Sequence, residues 1–312
     1  MSPIFGYHMP SYSFPDTPGE RLFERVVDLA TAAERAGFDM VTVMDHFYQI
    51  PGLGPETAPM LEAYTTLGAL AARTSRVRLG TLVTGVTYRN PALLAKTVTT
   101  LDVVSGGRAI LGIGAAWNES EHRGYGFAFP PIAERMDRLD EALAICRAMF
   151  RHERATFEGR FYRVEDALDE PRPVQPGGPP ILVGGGGERR TLRLVARYAD
   201  MSHWFPLGLD VLRHKSELLD RYCEEEGRDP SAIVRTIGSP VLVVPDEASG
   251  RRALDSLPPE RRAAIQAGTP AQAAELLQPY LDAGFRGFTF SDQMLPTREA
   301  VEVAGELIRL LS

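Results

Sequence analysis

Cysteine is scarce: the 312 residues hold only Cys146 and Cys223. Each falls inside a helical pattern, so no disulfide framework is expected and neither is read as a nucleophile or metal ligand. No stretch approaches the ~20 apolar residues of a membrane span, and the opening Met1-Ser2-Pro3-Ile4 lacks a basic segment followed by an apolar run. A soluble cytoplasmic protein is the expectation. The chain has no lysine-rich run and a formal net charge of -7, which argues against a nucleic-acid backbone as partner. It also lacks a Gly-x-Ser-x-Gly elbow and a His-Glu-x-x-His helix, which removes the serine-hydrolase and zinc-helix readings. No metal is expected, since only His8 ends the first predicted strand, where a metal-dependent barrel hydrolase wants paired histidines.

What the chain has is a repeated unit. Thr17 reads as an N-cap, with Pro18 at the first helical position and Glu20 closing a capping box; Leu22, Val26, Leu29, Ala33 and Ala36 then recur at helical spacing. Gly37 stops that helix, and Phe38 to Met44 reads as a strand. The unit returns where Thr269-Pro270-Ala271-Gln272 opens a helix, Ala283-Gly284-Phe285 closes it and Gly287-Phe288-Thr289-Phe290 forms a strand. Further strands are predicted at Ile4 to His8, Val77 to Leu82, Ala109 to Ile113, Ile181 to Val183, Met201 to Trp204 and Val241 to Val244. Eight strands alternating with helices predict an α/β protein, a closed (β/α)8 TIM barrel in one domain over residues 1–312, with a doubly wound sheet as the rival. The helix carrying Met136, Leu139, Leu143, Cys146 and Phe150 on one face is core packing. Residues 151–175 read as an inserted excursion near the C-terminal mouth.

Side chains at the C-terminal ends of barrel strands converge on one mouth. That register holds His8; Asp45 and His46; Thr81 and Thr84; Trp117 and Asn118; Gly184 to Gly187; His203 and Trp204; Ser239; and Ser291, Asp292 and Gln293. His46 is the sharpest candidate, because imidazole serves as acid or base near neutral pH and Asp45 stands beside it to orient it. Gly184-Gly185-Gly186-Gly187 follows a strand and precedes a helix expected over Glu188 to Tyr198; glycines admit close backbone approach, and helix-start amides bind phosphate. Arg189, Arg190, Arg193 and Arg197 add positive charge there. Gly112-Ile113-Gly114 lacks the third glycine of a dinucleotide fingerprint, and Glu121-His122 is left open between mouth and surface.

Several segments together resemble the bacterial luciferase-like flavin and deazaflavin oxidoreductases. They are Ala36-Gly37-Phe38-Asp39, Val43-Met44-Asp45-His46-Phe47, Arg76 to Thr84, Tyr88-Arg89-Asn90-Pro91, Ser105-Gly106-Gly107-Arg108, Gly112 to Glu119 with Glu121-His122 and Tyr125-Gly126, the glycine run with Arg197 to Asp200, and Gly268-Thr269-Pro270. The resemblance spans nearly the whole chain and is strongest to the branch dependent on coenzyme F420. It implies a homodimeric barrel with the cofactor at the mouth, and a bulge after the third strand, often with a non-prolyl cis peptide, mapping to Thr81-Leu82. It places His46 beside the reactive ring carbon. In sugar-phosphate dehydrogenases of the superfamily a catalytic glutamate follows the fourth strand; its mapped position here is Trp117, which argues against that substrate. Ala116 replaces an expected glycine, and Met201-Ser202-His203-Trp204 is atypical for the branch.

The expected activity is hydride transfer between F420 and a small organic C=N, C=C or C=O group or its reduced form. His46 and Asp45 form the catalytic pair. Thr81, Leu82, Thr84, Ala115, Asn118, Gly184 to Gly187 and Arg189 bind cofactor, while His8, Trp117, His203 and Trp204 line the substrate pocket. The arginines after Gly187 would attract the acidic tail of F420. The alternatives are a monooxygenase using reduced FMN, and a cofactor-binding barrel without turnover.

Overall fold

In the computed structural model, which describes residues 2–257, 262 and 265–312, eight parallel strands close on themselves. In chain order they are β1 (Ile4–Met9), β2 (Met40–Val43), β3 (Arg78–Thr81), β5 (Ala109–Gly114), β8 (Ile181–Gly184), β9 (Met201–Trp204), β10 (Val234–Gly238) and β13 (Gly287–Ser291). Each pairs with its neighbour in that order, β3 with β5 and β13 with β1, so no edge remains. The short β4 (Thr84–Gly85) continues β3 beyond a bulge and pairs with the end of β5.

Alternation along each strand makes two apolar layers. Phe5, Tyr7 and Met9 of β1 face outward to the helices, while Ile4, Gly6 and His8 face inward. The lower interior is plugged by Met40, Ile110, Leu182 and Met201, with Ile4 and Val234 packed against them. The upper interior is different in kind, with Thr42, His203 and Thr236 on one side and Gly80, Gly112, Gly114 and Gly184 on the other.

The first helix, α1 (Leu22–Ala36), starts later than the sequence pattern predicts. Residues Gly19–Arg21 form a 3-10 turn, and no side chain caps α1, so the expected Thr17–Glu20 capping box is absent. Its other end is as expected: Gly37 adopts φ +103°, a left-handed cap that frees the chain to enter β2. In the second copy of the unit, Thr269 and Gln272 form the reciprocal capping box.

One predicted barrel strand is corrected. Val241 to Val244 lies outside the barrel, where β11 (Val241–Val243) pairs with β12 (Gln266–Gly268). The barrel position belongs to β10, whose inward residues include Thr236 and Gly238, so the rule of continuous apolarity passes over it. The excursion is a hairpin, β6 (Arg154–Glu158) and β7 (Arg163–Leu168), following α5 (Ile132–Arg151). It folds back along α5, where Glu141 accepts the amides of Arg160, Phe161 and Tyr162. Tyr162 at its tip thereby shares a cavity of about 200 Å³ with Thr87 to Asn90 near the mouth.

Candidate active site

The segment after β2 delivers Asp45 and His46 to the mouth, and each meets a different partner. Asp45 is buried and takes two bonds from Arg89, at 2.6 and 3.2 Å. Arg89 also pairs with Glu62 at 2.7 Å and lies 4.7 Å above the Tyr64 ring. Burial raises the Asp45 carboxyl above its ordinary value against the lowering pull of Arg89. With its oxygens held by a guanidinium, Asp45 does not touch His46; it anchors the loop that carries it.

The partner of His46 is Glu121. Its Oε1 lies 2.6 Å from His46 Nδ1, its Oε2 accepts the Phe47 amide at 2.8 Å, and the Tyr88 hydroxyl donates to Oε1. Burial alone would push the Glu121 carboxyl up, but the bonds from His46, Tyr88 and Phe47 together hold it below the usual carboxylate range. An ionised carboxylate accepts only, so His46 Nδ1 carries the proton and Nε2 is left to face other groups. Trp117 stands edge-on to the His46 ring at 5.5 Å and is 55% exposed, at the rim of the mouth.

Glu121 is held in place by α4 (Glu119–Tyr125) and by its neighbour. His122 is buried, donates Nδ1–H to the Asn118 carbonyl at 2.6 Å and meets the Thr87 hydroxyl through Nε2 at 2.6 Å. Sequence reasoning left this pair open and gave Arg89 and Tyr88 no role, because the bonds join positions 33 to 75 residues apart. Asn118 is buried beside Ser120, whose hydroxyl it accepts at 3.1 Å, and Ala115 is half-buried. Ala116 adopts φ +62°, the left-handed conformation for which a glycine is the usual choice.

Next to the segment that carries His46, the chain after β3 bulges inward, with the Leu82 amide donating to the Val43 carbonyl of β2. The non-prolyl cis peptide is Leu82-Val83, one bond later than the expected Thr81-Leu82. A Cβ on Gly112 would land on the Thr81 carbonyl, and one on Gly184 would meet both Val83 methyls at 2.9 Å, so only glycines make room for this bulge. Thr81 and Thr84 sit behind it. The Thr81 hydroxyl donates to the Gly112 carbonyl at 2.8 Å, and the Thr84 hydroxyl lies 2.8 Å from that of Tyr64. Both are fully buried, so they brace the bulge, while Leu82 and Val83 form its half-buried inner surface.

The glycine run ends β8. Gly185, at φ +114°, donates to the His203 carbonyl, and the amides of Gly186 and Gly187 have no protein acceptor among the described residues. The helix begins only at Thr191, as α6 (Thr191–Tyr198), three residues later than expected. Lys215, from α7 (Leu209–Glu225), reaches the loop and bonds the Gly186 carbonyl at 2.7 Å and Glu188 at 3.1 Å. Arg190, Arg193 and Arg197 turn away to Asp137, Glu225 and Glu226, which removes them from the expected charge for an acidic tail; Arg189 remains exposed beside the run.

Of the four expected pocket residues, His8, His203 and Trp117 reach the mouth. Trp204 does not: it alternates outward from His203, is buried and packs edge-on against Phe285 at 5.7 Å in the helix layer. The larger cavity, about 700 Å³, opens at the other end of the barrel over Ile4, Met40 and Ile110, and includes none of the residues around His46. Among the described residues no cluster of metal-ligating side chains occurs.

The pattern of luciferase-like monooxygenases matches residues 5–311. Named relatives include F420-dependent glucose-6-phosphate dehydrogenases of Intrasporangium calvum, 34% identical over 83% of this chain and 86% of the relative, and of Kineococcus radiotolerans, 33% identical over 85% and 86%. In fold the chain is similar to an F420-dependent secondary alcohol dehydrogenase holding an F420-acetone adduct, with TM-score 0.81 and 21% identity over all of both chains. It is similar also to an EDTA monooxygenase from Chelativorans sp. BNC1, with TM-score 0.84 and 18% identity over 100% and 93%. A closed barrel with a glycine-bedded bulge beside a histidine–carboxylate pair, and a pattern matched across nearly its full length, establish that this chain belongs to the luciferase-like monooxygenase family.

Proposed function

We propose that the protein is an F420-dependent oxidoreductase acting on a small organic substrate. The observation that carries the reading is the inward bulge at Leu82-Val83, bedded on Gly112, Gly114 and Gly184, with the His46–Glu121 pair joining the segments that follow its two neighbouring strands, β2 and β5. A flat ring can lie against such a backbone surface, and the bed would be filled by any side chain at Gly112 or Gly184. The relatives named for F420 favour the deazaflavin over FMN.

In this reading Leu82 and Val83 back the ring, and the amides of Gly186 and Gly187, with Lys215 and Arg189 nearby, take the cofactor phosphate. When bound, the deazaflavin supplies a carbon that gives or takes a hydride. His46 manages the proton that accompanies it: Glu121 holds Nδ1–H, so Nε2 is free to take a proton from a substrate hydroxyl or return it to a carbonyl oxygen. Trp117 covers the substrate side and limits water at the reacting atoms.

The sugar phosphate in the relatives' names is not carried over. Trp117 occupies the mapped acid position, Glu121 is committed to His46, the mouth cation Arg89 already holds Asp45 and Glu62, and Lys215 stands at the glycine run assigned to the cofactor phosphate. The reading includes one barrel domain over residues 1–312, paired as a cytoplasmic homodimer. Exposed Leu93 and Val104, on α3 (Pro91–Ser105), support pairing, and sedimentation would report it as twice the monomer mass.

Fluorescence titration with F420 and, separately, with FMN tests the cofactor. Quenching at micromolar F420 is the expected result, and micromolar FMN binding without F420 binding would overturn it. His46→Ala is expected to keep F420 binding and lower kcat by about 10²–10⁴-fold.

A further inference from the structure

The wall opposite the bulge contains a hydrogen-bond relay with a defined direction. The Thr236 hydroxyl, buried in β10, lies 2.7 Å from the Ser202 carbonyl and 2.8 Å from His203 Nδ1. A carbonyl only accepts and a hydroxyl has one proton, so Thr236 donates to Ser202 and must accept from His203. His203 is therefore the Nδ1–H tautomer, with a bare lone pair on Nε2. Its ring is half-buried on an inward position of β9, level with Gly184 of the bulge wall. The same interior holds the Thr289 hydroxyl, buried and without a partner. Burial and the neighbouring His8 keep the His203 imidazole uncharged, lowered to about 3.

We propose that His203 is a specificity-determining residue whose Nε2 accepts an O–H or N–H from the molecule bound in the mouth. The proposal rests on the oxidoreductase reading above and adds a requirement to it. A site fixed as an acceptor favours an uncharged donor and repels a carbonyl oxygen or phosphate oxygen placed against it. Both sources available in this reading carry such donors, the N–H and hydroxyl groups of the cofactor and the hydroxyl of an alcohol substrate. Thr236 is the positioning residue, acting only through the ring.

Long-range proton–nitrogen NMR of the full chain labelled at histidine nitrogens tests this, with the His203 signals assigned by their loss in His203→Gln. The expected wild type has Nδ1 protonated and Nε2 bare; Thr236→Ser keeps that state, and Thr236→Val, of the same shape, loses it. A wild-type ring protonated at Nε2 overturns the proposal. F420 and excess 2-propanol are then added in turn. An Nε2 signal that moves with F420 assigns the donor to the cofactor, and His203→Phe should then raise the F420 Kd about five- to tenfold. Movement only with 2-propanol assigns it to the substrate. Movement with neither overturns the acceptor role. Failure of F420 to bind at all would sink the oxidoreductase reading, while the tautomer measurement, made without ligand, stands apart from it.

Discussion

The two walls of the mouth are built by opposite means. The wall of β3, β5 and β8 is made by leaving side chains out: Gly112, Gly114 and Gly184 let a backbone bulge occupy the interior. The wall of β9, β10, β1 and β2 is made by side chains whose polarity is set by neighbours, His203 by Thr236 and His46 by Glu121, while His8 Nδ1 lies 3.0 Å from Thr42. The first wall fixes shape and the second fixes where protons sit. Damage should therefore read out differently on the two sides.

The largest effect is expected on the histidine side. Glu121→Ala removes the acceptor of His46 Nδ1, so the ring is free to present either nitrogen, and kcat should fall about 10²–10⁴-fold with F420 binding retained. Steady-state kinetics beside a fluorescence titration separates the two; an equal loss in both would erase the contrast between the walls. On the bulge side, Gly112→Ala drives a methyl into the Thr81 carbonyl. It should cost about 1–3 kcal/mol in urea denaturation and weaken F420 binding at the same time. Unchanged binding would mean that the bulge does not support the ring.

Smaller effects follow from charge. His8 and His203 are held neutral, lowered to about 4 and about 3 chiefly by burial, so the unfolded chain binds protons that the folded one refuses. Their contribution is fully present above the ordinary histidine value of 6.5 and is lost as pH falls towards 4 and then 3. His203→Gln should flatten the acid limb of stability against pH. Asp292, just beyond β13, has the opposite sign. Burial raises its carboxyl to about 8, so stability is greatest below the ordinary 3.8 and declines as pH rises through 8. Asp292→Asn should remove that decline, measured by urea melts at pH 5 and pH 9.

Much of this architecture was legible because it is local. Helix stops at Gly37 and Gly284 and the box at Thr269 follow from a few adjacent residues, and the barrel was implied by their repetition. What escaped was set by the mouth itself. β10 escapes the apolar pattern because it carries Thr236 and Gly238 toward a polar mouth and Arg235 outward to Ser216 and Asp220 of α7, where a buried strand would be apolar. The position of His46 at a strand end is legible in the sequence, but adjacency points to Asp45 as its partner, and Asp45 pairs with Arg89 instead. The true acceptor, Glu121, arrives from a helix 75 residues away, and no spacing rule reaches that far. Trp204 failed for a simpler reason, since one step along a strand reverses the face.

The Ser105-Gly106-Gly107-Arg108 segment also proves mechanical rather than chemical. Arg108 donates to carbonyls of Ala71, Thr74, Val77 and Ser105, tying the end of α2 (Ala63–Ala71) to the start of β3.

The bed beneath the bulge also constrains how this protein can change over time. Gly112 has no neighbour in sequence space that preserves Thr81 where it lies, so the surface proposed to carry the cofactor is closed to stepwise adjustment. The exposed rim at Trp117 and Phe205, 55% and 78% open, has room for volume to be gained or lost. Diversification of substrate in this chain's descendants would be written on the rim and the histidine wall, while the glycine bed is inherited whole.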